Sequence, residues 1–462
     1  MKTTMVEQLA HYAVALRYED IPESARTTAR QLVFDTIGTA LGGYQTELGQ
    51  RAVAYAISAL PGHEAQLIGD GRYSSAEGAA FANSVMAKIL GMDDSHRTAG
   101  HIAAIVIPVL FAVAGSKALN GRDLITALVA AYDVAIRLGS HVRYEQRRRG
   151  LDLKGTVTPI VGALAAGRYL GLDATMIAQA MALAADMASG TEQYVYEGGA
   201  CDTKDLVAGF AARNAVSAVR LAMAGFRGAR GALDGEYGFL QAFGPGKGSA
   251  ASLFDDLGTC FRISETAFKP HGGCRHTHQA VDAVQRMLAD GPINPEQIEA
   301  VDLYTYAYAL QPHFRVDPDP EGRSTAGLSI RVATALALVR GSTFPADYQA
   351  WDDPVVRRLR HVINVHVDEQ IEAVYPQRNG CTIHVRMRDG AQRSGSLLFA
   401  RGEPEAALSD ADLFAKVHAL AHPIRSSETI QELAQACANL EQLTSSDQVF
   451  AWRDVSESAL HT

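Results

Sequence analysis

Three polar segments of the sequence carry residue types that can move protons and bind anions. The first, residues 91–101 (GMDDSHRTAGH), contains Asp93, Asp94 and His101 and runs directly into the apolar stretch 102–114. Histidine exchanges protons near neutral pH, and a carboxylate can orient its ring by accepting the second N–H. The apolar stretch predicts that His101 lies where a buried helix begins. A solvated loop that caps the next helix is the alternative interpretation, and the spacing matches no familiar set of metal ligands.

The second segment, residues 198–204 (GGACDTK), ends at Lys204 and leads into the apolar stretch 206–224. A lysine in the first turn of a helix is unfavourable, because the helix dipole already places positive charge at that end. The lysine becomes favourable if it faces a bound carboxylate, which the same helix N-terminus attracts. A surface lysine whose stem covers apolar neighbours is the alternative.

The third segment, residues 269–278 (KPHGGCRHTH), is the densest cationic stretch of the chain and includes Lys269, Arg275, His276 and His278. Arginine can grip a carboxylate through two parallel hydrogen bonds, and histidine can donate or accept a proton near neutral pH. In an extended chain His276 and His278 share one face, whereas in a helix Arg275 lies beside His278. The sequence leaves both geometries open.

The composition limits the classes of partner. The 462 residues are 47% hydrophobic and 20% charged, as in an ordinary globular protein, and their net charge is -9. This acidic balance disfavours nucleic acid, because phosphate binding needs a basic face. An anionic substrate therefore requires a local positive pocket inside an acidic protein.

The sequence also predicts a location. The five cysteines are scattered and form no CxxC pair, which favours a reducing compartment. The N-terminus lacks the apolar core of a secretion signal, and the most apolar stretch, 102–115, is too short to span a bilayer. We therefore expect a cytoplasmic protein that binds neither nucleic acid nor a membrane.

Residues 1 to about 265 are predicted to be helical, because apolar residues recur there at three- and four-residue spacing. The pattern is clearest over residues 25–41, 79–90, 121–138 and 204–224.

Beyond residue 265 the pattern turns to β-forming runs, with a hairpin signal at Asp389-Gly390. The predicted strands are 298–306, 362–367, 381–387 and 394–399, and a helix is predicted over 329–340. A second helical stretch starts at Ser409, with Asp412 completing a capping box.

These patterns predict a mainly α fold. We expect a large all-helical domain formed by both chain ends, residues 1–265 plus 405–462, with a smaller inserted α+β lid domain of residues 266–404. Interfaces between domains are common places for an active site.

Taken together, the polar segments resemble the MmgE/PrpD family, and the likeness covers nearly the whole chain. The family includes 2-methylcitrate dehydratase, cis-aconitate decarboxylase and iminodisuccinate epimerase. Residues 93–95 (DDS) and His101 are similar to its Asp-Asp-Thr-like loop ending in His-Pro, and residues 203–204 (TK) to a Thr-Lys pair before a long helix. Residues 269–278 resemble its Lys-Pro…Cys-Arg-x-Thr-His element, and residues 375–376 (YP) also match.

The resemblance implies a homodimer that uses no metal or other cofactor and acts on a small polycarboxylate. It implies a lyase or isomerase that abstracts a proton α to a carboxylate of a di- or tricarboxylic acid, similar to 2-methylcitrate dehydratase. The alternatives are an epimerase or isomerase of the iminodisuccinate type and a decarboxylase of the cis-aconitate type. A catalytically silent carboxylate-binding homologue is the alternative from another class.

The resemblance also suggests roles for the matched residues. Such chemistry needs a base, cations that hold the developing enediolate charge, and an acid. We assign His101 and His278 to the acid/base pair and expect an aspartate to orient a histidine. The catalytic candidates are Asp93, Asp94, His101, Lys204 and His278. The substrate-binding candidates are Lys204, Lys269, Arg275, His276 and Arg331.

The chain departs from the family pattern at three places. Gly91 stands where members often have an aspartate before the Asp-Asp pair, and Asp152-Leu153 replaces a His-Pro step. Arg331 or Val332 falls where members have a tyrosine, and Arg331 adds positive charge. These exchanges of proton-handling groups weaken the dehydratase hypothesis and leave the epimerase hypothesis standing.

Overall fold

The small apolar residues of the first half fold into closely packed helices, as their spacing predicts. The computed structural model describes residues 3–115, 119–195, 201–246, 250, 253–311, 314, 318–445 and 449. The helices in the first half are α1 (Met5–Ala15), α2 (Glu23–Tyr44), α3 (Glu47–Ala59), α4 (Ala76–Ile89), α5 (Ala103–Ala114), α6 (Gly121–Arg148), α7 (Leu153–Thr156), α8 (Thr158–Tyr169), α9 (Ala174–Asp186), α10 (Thr203–Met223) and α11 (Phe239–Phe243). A short antiparallel pair, β1 (Ala65–Gln66) and β2 (Tyr73–Ser74), lies between α3 and α4.

The second half mixes helices with one larger sheet. Its helices are α12 (His278–Ala289), α13 (Arg323–Ala326), α14 (Ile330–Arg340), α15 (Pro354–Val362), α16 (Glu369–Glu372), α17 (Asp410–Ala421) and α18 (Ser427–Ala438). Its strands are β3 (Ile298–Thr305), β4 (Ile363–Val367), β5 (Cys381–Met387) and β6 (Gln392–Leu397). The prediction of a mainly α fold is confirmed.

The larger sheet has the strand order β4-β3-β5-β6. Strands β3 and β4 are parallel, and the other neighbours are antiparallel. The predicted hairpin is present, with Gly390 in its turn at a φ of 87°. Helix α12 packs on β5 and β6 and contacts α14, so helices cover one face of the sheet.

Several predicted elements have shifted ends, and two of the shifts have a clear physical reason. Strand β6 begins at Gln392, two residues earlier than predicted, because a short turn pairs Gln392 directly with Arg386. Helix α6 continues ten residues past the predicted end at Leu138, to Arg148. Its last turn is rich in arginine, which interacts favourably with the negative end of the helix dipole.

The buried apolar side chains form two clusters. The larger one contains residues between Met5 and Phe268 together with residues from Leu413 to Val449. The smaller one contains residues between Ala280 and Val385. The C-terminal helices α17 and α18 pack on α2, and the capping box at the start of α17 is formed as predicted. The domain bounds 1–265 plus 405–462 and 266–404 stay a prediction.

Two described helices, α6 and α10, are long and apolar enough to cross a membrane. Most of the apolar window of α6 and just over half of that of α10 are buried inside the protein. Core helices of soluble proteins meet the same criteria, so these two helices are weak indications of a membrane span.

Candidate active site

The loop between α4 and α5 is held in place by Asp94. Its carboxylate accepts hydrogen bonds from the backbone N–H groups of Ile102 at 3.1 Å and Ala103 at 3.0 Å, at the start of α5. The hydroxyl of Tyr132 donates to the same carboxylate at 2.7 Å. Burial and the neighbouring charge of Asp93 raise the pKa of Asp94 to about 6. Asp94 therefore caps a buried helix, as carboxylates at helix N-termini do.

The main-chain carbonyl of Asp94 and the carboxylate of Asp93 together orient the imidazole of His101. The Nδ1 atom of His101 lies 2.8 Å from Oδ2 of Asp93 and 2.7 Å from the carbonyl oxygen of Asp94. Both neighbours are acceptors, so these partners assign the hydrogen to Nδ1 and leave a lone pair on Nε2. Burial lowers the pKa of His101 to about 4, and the ring is neutral at pH 7.

Two lysines share the other oxygen of Asp93. Nζ of Lys88 on α4 lies 3.1 Å from Oδ1, and Nζ of Lys269 lies 3.4 Å from the same atom. Burial alone raises the pKa of Asp93, but His101, Lys269 and Lys88 together hold it well below its usual range. Burial and the charge of Lys88 lower the pKa of Lys269 to about 8, against the opposing effect of Asp93. One buried anion thus lies between two cations, which leaves net positive charge.

Lys204 is the second residue of α10 and lines the same cavity. Within the described ranges its ammonium takes part in no ion pair or side-chain hydrogen bond. Burial lowers its pKa. The charge of Asp205, the next residue of the helix, opposes this shift. An ammonium beside a helix N-terminus adds to the attraction that the helix dipole exerts on anions.

These groups meet at a cavity of about 150 Å³. Among the described residues, its charged lining consists of the cations Lys88, Arg97, Arg143, Arg147, Lys154, Lys204, Lys269 and Arg275 and the acids Asp152 and Glu192. The structure thus shows a positive pocket inside a protein whose net charge is -9. In the part of the chain that the structure describes, no three His, Cys, Asp or Glu side chains come together as metal ligands would.

The third polar segment adopts the helical one of its two predicted geometries. Residues 275–277 form a single 3-10 turn, and α12 starts at His278. Arg275 accordingly donates to Nδ1 of His278 at 3.0 Å. Its guanidinium also donates from Nε to the buried carboxylate of Glu403 at 2.8 Å. Arg275 lines the cavity, but its guanidinium is already paired with a carboxylate of the protein, that of Glu403.

His278 does not lie where the acid/base assignment placed it. The residue is fully buried and does not line the cavity. Burial and the charge of Arg275 lower its pKa well below the usual value. Because α12 starts at this residue, the ring packs beneath the segment, edge-on to His271. His276 does line the cavity, and its Nδ1 is bonded to the hydroxyl of Tyr306 at 2.7 Å.

Arg331 lies away from the cavity. It is the second residue of α14, and its guanidinium donates to the main-chain carbonyls of Arg360 and Ile363, where α15 ends and β4 begins. The positive charge that it adds therefore serves the packing of α14 against these elements. The structure does not bring Arg331 to the substrate-binding residues predicted with it.

Several cavity residues were missed from the sequence. Lys88 carries a recognisable signal, since it is a charged residue in an otherwise apolar helix and is 4% exposed. Lys154 has the weaker signal of standing next to the departure at Asp152. The others are Arg97, Arg143, Arg147, Glu192, Tyr194 and Tyr308. They lie in polar stretches that resemble ordinary surface, and only the fold brings them to one cavity.

Two family models match the chain. The model of the MmgE/PrpD N-terminal domain matches residues 7–251, and that of the MmgE/PrpD C-terminal domain matches residues 271–442. These matches cover most of the chain. The chain belongs to the MmgE/PrpD family.

Curated relatives align over nearly their full length. A cis-aconitate decarboxylase of Aspergillus terreus (strain NIH 2624 / FGSC A1156) is 24% identical over 471 residues, covering 96% of this chain and 94% of the relative. The cis-aconitate decarboxylase of Homo sapiens is 26% identical, covering 96% and 93%. The cis-aconitate decarboxylase-like protein oryM of Aspergillus oryzae (strain ATCC 42149 / RIB 40) is 26% identical, covering 95% of each chain. The family and these relatives support an enzyme of the carboxylate lyase type.

Proposed function

We propose that the protein is a metal-independent lyase that moves a proton at the carbon next to a carboxylate of a small di- or tricarboxylic acid. One observation carries the proposal. A neutral histidine, His101, lines a cation-rich cavity with its Nδ1–H held by the main-chain carbonyl of Asp94 beside the Asp93 carboxylate, so that Nε2 can accept a proton. Lys204 and Lys269 line the same cavity and supply the positive charge that a carboxylate substrate needs.

The proposed mechanism divides the work between these groups. The substrate carboxylate binds at Lys204 and Lys269, which also stabilise the charge that develops when the carboxylate becomes an enediolate. Nε2 of His101 takes the α-proton as general base. The imidazolium that forms is stabilised by Asp93, the role a buried carboxylate has beside a catalytic histidine. The neutral state of His101 before reaction prepares it to accept the proton.

The family and the named activities of the relatives favour a lyase over an epimerase or a silent binder. An epimerase needs a second base on the opposite side of the reacting carbon; His278, the residue predicted for it, does not line the cavity, and His276, which does, is bonded through Nδ1 to the hydroxyl of Tyr306. A silent carboxylate binder needs cations but no oriented neutral histidine. Elimination of water, as in 2-methylcitrate dehydratase, is the proposed outcome, and the hydroxyl leaves as water by taking a proton from an ammonium group that lines the cavity. Decarboxylation is the second candidate, and it is favoured by the relatives that are cis-aconitate decarboxylases.

Deuterium exchange in heavy water tests the proposal. The protein is incubated with citrate, 2-methylcitrate or cis-aconitate and followed by NMR, with and without a chelator. We expect incorporation of deuterium next to a carboxylate, unaffected by the chelator. Loss of water identifies a dehydratase, and release of carbon dioxide identifies a decarboxylase.

A substitution ties this exchange to His101. His101→Gln should lower the exchange rate by about 10²- to 10⁴-fold, the usual contribution of a general base. His384→Gln, on the exposed sheet, is the matched control and should keep the full rate. Full exchange in His101→Gln would refute the assignment, and exchange with inverted configuration but no elimination would favour the epimerase.

We further propose that the enzyme is a cytoplasmic homodimer. The acidic composition, the scattered cysteines and the family resemblance support this proposal. Light scattering of the purified protein tests the subunit number, and fractionation of the native cell tests the location.

A further inference from the structure

One wall of the cavity contains Asp152 and Leu153, where the chain departs from the family pattern. The chain around Asp152 pairs with the chain around residue 190: Leu151 and Thr191 form an isolated β-bridge, and the N–H of Asp152 donates to the carbonyl of Gly190 at 3.1 Å. The Asp152 carboxylate caps α7 by accepting from the N–H of Lys154 at 2.9 Å. The backbone thus fixes the position of this carboxylate.

Asp152, Lys154 and Tyr194 form a bonded triad on this wall. Nζ of Lys154 lies 2.8 Å from Oδ2 of Asp152, and the hydroxyl of Tyr194 donates to the same oxygen at 2.9 Å. The ammonium also donates to the hydroxyl of Tyr194 at 3.5 Å. An ammonium has three N–H donors, so one remains for the cavity that all three residues line.

The charge at Lys154 differs from the charge at Lys204. Lys154 is neutralised by a carboxylate at contact distance, and Arg147 lies 3.6 Å from Glu192 on the same wall. A substrate carboxylate placed on Lys154 would also face Asp152 and be repelled by it. A hydroxyl meets no such repulsion, because its oxygen accepts from Lys154 and its hydrogen can go to a carboxylate of the wall.

We propose that Lys154, held by Asp152 and Tyr194, is a specificity-determining subsite that binds an uncharged hydroxyl of the substrate. The inference rests on the proposed function, in which the substrate carboxylates bind on the side of Lys204 and Lys269. It defines the substrate as a hydroxy acid, with carboxylates at Lys204 and Lys269 and a hydroxyl at the pair of Lys154 and Asp152.

Calorimetric titration with matched probes tests the subsite. Citrate is compared with propane-1,2,3-tricarboxylate, and malate with succinate, since the members of each pair differ by one hydroxyl. Turnover is stopped with a His101→Gln background. We expect the hydroxylated member of the better-binding pair to bind about 10- to 100-fold more tightly, the usual range for a hydrogen bond from a charged donor.

Variants of the triad locate the preference. Lys154→Met should make the two members of the pair bind equally, because the donor is gone. The double variant Asp152→Asn with Lys154→Met should give the same result and removes the buried pair as a unit, which folded proteins tolerate better than a lone charge. Asp152→Asn alone unmasks the lysine and should improve binding of propane-1,2,3-tricarboxylate relative to citrate.

Two controls separate the failure of this inference from the failure of the proposed function. Glu145→Gln, which alters a partly exposed acid on α6 that pairs with Arg148 and Arg149 and does not line the cavity, should keep the hydroxyl preference. Lys204→Met should weaken both members of a pair alike. Equal binding of both members to the protein with Lys154 intact would overturn the subsite and leave the proposed function standing. No binding of any polycarboxylate would overturn both.

Discussion

At the scale of single residues, the two oxygens of the Asp93 carboxylate have different partners, and the proposed chemistry depends on both. One oxygen holds the imidazole of His101, and the other lies between the ammonium groups of Lys88 and Lys269. The carboxylate therefore supports the tautomer that the carbonyl of Asp94 also selects, and it stabilises two buried cations. Removing it should affect proton transfer and anion binding together.

The pH dependence of kcat/KM follows from two of these groups. His101 is active only when neutral, so activity should rise as the pH rises through its pKa of about 4. Lys269 binds an anion only when protonated, so activity should fall as the pH rises through its pKa of about 8. A bell-shaped profile of the free enzyme is expected. Lys269→Arg should move the alkaline limb upward, because arginine stays protonated; an unchanged limb would exclude Lys269 as its source.

Asp93→Asn should cost about 3–5 kcal/mol of unfolding free energy, since it leaves two buried lysines without their shared counter-ion. It should also shift the alkaline limb to lower pH, because the loss of a neighbouring anion lowers the pKa of Lys269 further. Urea denaturation and the pH profile measure the two effects. Asp173→Asn, a change at the cap of α9, is the control and should cost little. Equal costs at both positions would contradict the shared-anion interpretation.

The residue scale also shows what the sequence could and could not predict about the site. His101 and Lys204 are predicted to face the site because each stands at the start of an apolar helix. A polar side chain there is unfavourable unless it has a partner. Arg275 is assigned to the substrate because arginine can grip a carboxylate. The sequence does not reveal its partner within the protein, Glu403, which lies 128 residues further along the chain. A pairing over such a distance depends on tertiary structure and leaves no local pattern.

At the scale of elements, the loop between α4 and α5 has its shape because of Gly91. Gly91 has a φ of 63°, in the left-handed region that favours glycine. A Cβ there would lie 3.1 Å from the backbone nitrogen and oxygen of Gly273. The departure from the family pattern at this position thus lets the loop that carries Asp93 approach the cationic segment closely.

Gly91→Ala should destabilise the protein by about 2–3 kcal/mol and reduce activity. The new methyl adds a close backbone contact to the cost of a positive φ. Gly150→Ala is the matched control, because Gly150 has a φ of 69° and no atom within 4 Å of the added methyl. It should cost about 1 kcal/mol and spare activity. Equal losses of stability in thermal denaturation would show that the close contact with Gly273 does not add to the cost of the substitution.

Most elements could be predicted because helix and strand periodicities are local. Strand β3 and helix α14 begin or end within one residue of the prediction. The end of α6 could not be predicted, because residues 139–148 are polar and only the packing of the preceding turns extends the helix. The β4–β3 pairing is parallel and joins residues about sixty positions apart, which a local pattern does not encode.

At the scale of the whole molecule, Glu403 joins three segments that lie far apart in the sequence. This carboxylate is 1% exposed. It accepts from Nε of Arg275 at 2.8 Å, from the side-chain amide of Asn379 at 2.8 Å and from Nε of Arg97 at 2.9 Å. Arg97 belongs to the loop that carries His101, and Asn379 lies just before β5 of the sheet. One buried anion therefore ties the catalytic loop, the cationic segment and the sheet together.

Glu403→Gln should loosen this junction more than it disturbs either cluster. The glutamine keeps the size of the side chain but turns one acceptor into a donor that faces an arginine, at a cost of about 3–5 kcal/mol. Because Arg97 and Arg275 line the cavity, KM should rise, while kcat should change less since His101 keeps its partners. Glu405→Gln is the matched control, because Glu405 pairs with Arg97 at a partly exposed position and should contribute less than about 1 kcal/mol. Denaturant unfolding and steady-state kinetics of both variants check the expectation. Equal losses in the two variants, or a fall in kcat alone, would contradict the role of Glu403 at this junction.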